Sequence, residues 1–124
     1  MLVSCTHIRI KNILGFLRFL FYNFRSFQQL KKSSGLIQKS FHSTSLFDLW
    51  TLSAWESEKA MLAYINNGAH LDAMKNFRGI ADTFKSKVVR WETEVFPTWD
   101  EAIRRNNESD YEYEKSAYAK LSKE

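Results

Sequence analysis

The chain has 124 residues, enough for one domain with a modest core. Its 44% hydrophobic and 26% charged residues are the proportions of an ordinary globular protein. A single cysteine, Cys5, excludes an intramolecular disulfide and argues against a secreted, cross-linked scaffold.

The net charge of +4 is uneven: residues 1–47 hold seven Lys or Arg and no acid, while from Glu108 onward five acids face three bases. An acid-free, Ser-bearing, amphipathic N-terminus has the composition of an organellar transit peptide. Leu2-Val3-Ser4-Cys5 lacks the charged segment and apolar core that would make it a lipoprotein cleavage box. The longest apolar run, Ile13 to Tyr22, is ten residues interrupted by Arg18, far short of the roughly 20 needed to span a membrane. A cytoplasmic location is expected, with Cys5 an inert buried thiol. Ten Phe, five Tyr and four Trp carry more apolar area than one small core hides. The surplus predicts a ligand pocket or a subunit interface.

In chain order, Leu2 to Ile10 alternate and read as a first strand. Lys11 to Lys32 then shift to a helical period, with Ile13, Phe16, Leu17, Leu20, Phe24 and Phe27 as one wide apolar face. Lys11, Arg18, Arg25 and Lys32 recur every seven residues on the opposite side. That stripe is read as the solvated back of a helix covering a sheet, in preference to a surface for anionic lipid or nucleic acid. No nucleic-acid signature accompanies it.

Ser33-Ser34-Gly35 ends this helix. Leu36 to Ser43 and Leu46 to Trp55 form an antiparallel pair of strands around Ser43-Thr44-Ser45. On the second of these, Leu46, Trp50, Leu52 and Ala54 point one way and Phe47, Leu49 and Trp55 the other. Both faces are apolar, so helices are expected on one side and a second subunit on the other. Ser57 is a candidate N-cap for the next helix, which breaks at Asn66-Asn67-Gly68, with Gly68 in a left-handed conformation. A further helical segment is expected from Ala69 to Phe84, then a strand from Lys87 to Phe96. In that strand Val89 and Trp91 oppose Arg90 and Glu92. Thr98 and Glu101 fit a capping box that opens a short helix to Asn106. The domain is expected over residues 1–106, followed by a charged tail over 107–124, mobile or docked as a helix. The order β-α-β-β-α-β is that of an α+β, ferredoxin-like domain.

The run LWTLSAWESEKAMLAYINNGAHLDAM, with VVRWE after it, resembles a family of small bacterial proteins in the antibiotic-biosynthesis-monooxygenase-like, dimeric α/β-barrel superfamily. The resemblance rests on the Trp50-Thr51-x-Ser53-x-Trp55 strand, the Gly68-Ala69-His70-x-x-Ala73-Met74 helix start and Arg90-Trp91-Glu92. It covers roughly residues 30 to 96. The same helix start is similar to that of spheroidene monooxygenase, a haem-linked carotenoid oxygenase. The resemblance implies a homodimer built from two four-stranded sheets, and a pocket between sheet and helices. It does not imply one chemistry, because the fold hosts oxygenases, haem enzymes, isomerases and binding proteins.

His70 is the sharpest candidate for chemistry. It lies four residues before Met74 on one helix face, where an imidazole could ligate haem iron or act as an acid or base. The plainer reading is a histidine that caps its helix or bonds a backbone carbonyl. Trp50, Trp55, Met61, Met74 and Trp91 are expected to line the pocket. Arg90 and Glu92 are expected to meet a polar substrate group or to pair across a dimer seam. No metal site is expected, since no spaced ligand set is present. His7 and His42 are assigned no role. The sequence thus predicts a small oxygenase-like protein acting on an aromatic or apolar molecule, possible haem binding included. The contrasting expectation is a non-catalytic ligand-binding or interaction protein on the same scaffold.

Overall fold

A computed structural model describes residues 1–109. The expectation for the tail beyond Ser109 lies outside the described residues. Nine elements follow one another: β1 (Leu2–Arg9), α1 (Ile13–Lys31), β2 (Leu36–Ser45), β3 (Asp48–Trp55), α2 (Glu58–Ile65), α3 (Gly68–Lys75), α4 (Phe77–Ile80), β4 (Lys87–Glu92) and α5 (Trp99–Glu108). The strands form one antiparallel sheet in the order β2-β3-β1-β4. This is the ferredoxin-like arrangement read from the element order. The basic N-terminal segment supplies β1, a central strand, and α1, the longest helix among the described residues.

The helix starts are made by the residues whose chemistry predicts them. Ser57 Oγ accepts the Ala60 N–H and Thr98 Oγ1 accepts the Glu101 N–H, each satisfying a donor that the first turn leaves open. Gly68 has φ +59, a conformation costly for any residue with a Cβ. Asn12 caps α1 through its side-chain oxygen on Gly15 N–H. A Cβ on Gly15 would run into the Ile80 carbonyl, so this glycine lets α1 press against α4.

Alternation along the strands divides the core in two. Ser4, Thr6, Thr51, Ser53, Trp55, Val88 and Arg90 face a cavity beneath α1, α2 and α3. Val3, Cys5, Trp50, Leu52 and Ala54 face the other way and form one apolar cluster with Ala102 of α5. The second face of β3 thus packs within this chain on helix α5. Asn106, fully buried on α5, fixes that helix by donating to the carbonyls of Cys5 (3.1 Å) and Lys87 (3.2 Å).

Several boundaries differ from the sequence reading. The β2–β3 turn falls at Leu46-Phe47, not at residues 43–45, and Asp48 holds it by bonding Ser45 (2.6 Å), His7 (2.9 Å) and Arg9 (2.7 Å). The helical segment expected to reach Phe84 ends at Ile80, because Ala81 bridges to Ile10 and Asp82 folds back on the N–H groups of Phe84 and Lys85. β4 stops at Glu92, and α5 runs past Asn106 to Glu108.

The largest departure concerns α1. Its packed face is Gly15, Phe16, Phe19, Tyr22, Ser26 and Leu30, whereas Ile13, Leu17, Leu20 and Phe24 of the expected buried face are exposed. The helix is apolar on more than one side, so periodicity alone selects the wrong stripe.

Candidate functional site

The cavity between the sheet and α1, α2 and α3 has a volume of about 120 Å³. Trp55, Met61, Met74, Phe77 and Ile80 make its apolar wall, with Phe19 and Phe27 from α1. The sheet contributes the polar groups Ser4, Thr6, Thr51, Ser53 and Arg90, and the helices contribute Tyr22, Asn23 and Ser26 of α1, Tyr64 of α2 and His70 of α3. An apolar cleft with a few convergent polar groups is the usual form of a small-molecule site.

His70 is held from three directions. Its backbone N–H donates to Gln29 Oε1 at 2.9 Å. Its ring lies 4.6 Å from the Tyr64 ring, which in turn lies 5.5 Å from Trp55. Its Nδ1 is 3.2 Å from the Ile65 carbonyl oxygen. A carbonyl only accepts, so Nδ1 carries the hydrogen and Nε2 carries the lone pair. Burial lowers the imidazole from 6.5 to about 4, against the carbonyl bond that favours the cation and helped by the charge of Arg90. At neutral pH the ring is uncharged. The bond to the Ile65 carbonyl is the contact that the plainer sequence reading named.

Arg90 is the other unusual group. It lies on β4 facing the cavity, its Nε is buried without a hydrogen-bond partner, and no Asp or Glu stands among the described lining residues. A cation in such a wall is poorly compensated by the protein.

The remaining expected site residues are elsewhere. Trp50 and Trp91 do not line this cavity. Strand alternation puts both on the opposite face, where Trp50 stacks on His7 at 4.1 Å and Trp91 lies 4.8 Å from the Arg105 guanidinium carbon. Glu92 shares the parity of Arg90 but stands at the strand end, exposed and 3.7 Å from the Met1 amino group. His7 bonds Asp48, and His42 stacks on Trp99 at 5.2 Å. The sequence reading missed Ser4, Thr6, Tyr64 and Gln29. Alternation of β1 and β3 was enough to find Ser4 and Thr6. Nothing local in sequence marks Gln29, whose partners lie 35 to 41 residues away.

At about 120 Å³ the cavity is smaller than the roughly 300–1,000 Å³ of common ligand sites. Among the described residues no group of His, Cys, Asp and Glu is placed to hold a metal ion. No helix among them is long and apolar enough to cross a membrane.

This is the fold of the antibiotic-biosynthesis-monooxygenase-like proteins. The structure is similar to that of a candidate antibiotic biosynthesis monooxygenase from Nitrosomonas europaea, at TM-score 0.67 and 12% identity, covering 77% of this chain and 100% of that one. It is similar to a conserved protein from Methanosarcina mazei Go1, at TM-score 0.66 and 12% identity, over 75% of this chain and 92% of that one. It is also similar to SnoaB, a cofactor-independent oxygenase from Streptomyces nogalater, at TM-score 0.60 and 9% identity, over 78% and 97% of the two chains. No family model and no curated protein sequence matches the chain.

Proposed function

We propose that the protein is a small oxygenase-like enzyme that binds a compact aromatic or apolar molecule bearing an acidic oxygen, and works without haem. Arg90 is the observation that carries this reading. A buried guanidinium nitrogen with no partner, in a wall without carboxylates, suits a phenolate, enolate or carboxylate. The volume suits a single ring, since an apolar cavity of roughly 150 Å³ accommodates benzene. Ser4, paired with Arg90 across β1 and β4, and Thr6 two residues on add hydroxyls that orient such a ring. Neutral His70 offers an Nε2 lone pair to an acidic hydrogen of the substrate, and Arg90 favours the anion that proton loss creates. The fold shared with SnoaB supports oxygenation of that anion.

A second reading has its own support. An imidazole lowered to about 4 is a weak base at neutral pH, and this favours a binding protein on the same scaffold. One experiment separates the two. Phenols and aromatic carboxylic acids are screened by calorimetry, and those that bind are followed for oxygen uptake in chelated buffer. Binding that drops ~10-fold or more in Arg90→Gln, with oxygen uptake, supports the enzyme. Binding with no uptake supports the binding protein. Neutral apolar compounds binding as well as acids would remove Arg90 from the site.

A further inference from the structure

Helix α1 carries three faces. Gly15, Phe16, Phe19, Tyr22, Ser26 and Leu30 pack inward. Lys11, Arg18, Arg25 and Lys32 run along one exposed flank. Between that flank and the packed face, Ile13 (62% exposed), Leu17 (58%), Leu20 (49%) and Phe24 (64%) stand in solvent, with Leu14 and Phe21 beside them. At 100° per residue these six side chains span about 120° of the helix. Beyond the helix start lies a groove of mixed lining, with Phe47 and Phe84 among Arg9, Lys11, Asp82 and Lys85, and Phe84 is 80% exposed. An exposed apolar stripe such as that on α1 marks a contact surface.

We propose that this face of α1 docks the protein onto an anionic lipid surface. The helix lies in the headgroup plane, Ile13, Leu17, Leu20 and Phe24 enter the acyl boundary, and the cationic flank meets lipid phosphates. Charge selects this occupant. Arg25 pairs with Asp72 of α3 at 3.0 Å, while Lys11, Arg18 and Lys32 are exposed along the same flank, so a second copy packed on the same face brings two cationic flanks together. A convex ridge of Leu and Phe also suits a deformable surface better than a rigid groove. The surface lies on the outer side of the helix whose inner side roofs the cavity, so lipid contact leaves the pocket residues untouched.

Co-sedimentation of the full chain with vesicles tests this. The chain is expected to pellet with phosphatidylcholine vesicles containing phosphatidylglycerol and to stay in solution with phosphatidylcholine alone. Raising salt is expected to weaken binding by ~10-fold or more. Leu17→Glu with Phe24→Glu, both at exposed positions, is expected to abolish pelleting while circular dichroism and thermal melting stay unchanged. If that variant does not fold, the two lipid compositions and the salt series on the unaltered chain decide the matter. Absence of pelleting with the anionic vesicles, equal pelleting with the neutral ones, or a dimer that Leu17→Glu with Phe24→Glu splits into monomers would overturn the proposal.

Discussion

Gln29 of α1 holds the start of α3 through His70: its Oε1 accepts the His70 backbone N–H at 2.9 Å, while its Nε2 donates to the carbonyls of Tyr64 (3.0 Å) and Asn67 (2.9 Å). One side chain thereby satisfies three backbone groups at a break between two helices. Gly68 makes room for it, since a Cβ there would meet Gln29 Oε1 at 3.1 Å. Gln29→Ala is expected to cost ~1–3 kcal/mol, the range for leaving such groups unpaired. Hydrogen exchange is expected to rise at residues 66–71 ahead of the rest of the molecule. Uniform exchange across the fold in the variant would show that the clamp is not local.

Stability is expected to fall with pH in two windows. Unfolded His70 takes its proton near 6.5 and the folded ring only near 4. Between these values the unfolded state binds more protons, so the His70 contribution, fully present above 6.5, is lost as pH falls to about 4. Its size is on the order of 2 kcal/mol after discounting for partial solvent access. Asp48 adds a lower window. Burial opposes its charge, but bonds from Ser45, His7 and Arg9 outweigh this and hold it near 2 against an ordinary 3.8. That contribution is present above about 4 and lost as pH falls towards 2. Urea unfolding across pH 4–7.5 is expected to show the upper slope in the parent chain and not in His70→Phe. An equal slope in both would place the effect on another group.

The placement of the tryptophans gives an optical check on the site. Trp55 lies in the cavity wall and bonds Ser53 through its indole nitrogen at 2.9 Å, whereas Trp50 and Trp91 lie across the sheet. Ligand entry is expected to change the fluorescence of the parent chain, of Trp50→Phe and of Trp91→Phe, and to leave Trp55→Phe silent. A signal that vanishes with Trp50 instead would place the ligand on the α5 side.

Much of this fold was legible because local chemistry and global topology agree. The caps at Ser57 and Thr98, the left-handed Gly68 and the alternation of β3 each depend on residues a few positions apart. The choice of the buried face on α1 did not yield to the same reading. Both faces of that helix are apolar, and what decides is the close approach of Gly15 to Ile80, a contact across 65 residues of sequence. The site divides in the same way. Met74 and His70 share a helix face, and Arg90 follows from strand parity. Treating Trp50, Trp55 and Trp91 as one pocket overlooked that parity, since Trp50 and Trp55 are an odd number of residues apart on one strand. Gln29 and Asn106 act on carbonyls and N–H groups far along the chain, and no short pattern encodes them.

Asn106 offers the last test, because it ties α5 to the sheet directly over Cys5. Its amide donates to the Cys5 and Lys87 carbonyls from a fully buried position, and its Oδ1 has no partner. Burial pushes the Cys5 thiol up to about 12, so the folded chain holds it protonated and out of reach of reagents. Dithionitrobenzoate at pH 8 is expected to leave Cys5 unlabelled in the native parent chain. Asn106→Ala removes both bonds to the sheet and is expected to cost ~1–3 kcal/mol. Because the lost contacts join α5 to β1 and β4, the cost is expected to appear first as detachment of α5. Cys5 labelling then rises ~10-fold or more, in step with the population of that open form. Labelling that tracks only global unfolding, measured on the same variant in urea, would show that α5 does not open separately from the sheet.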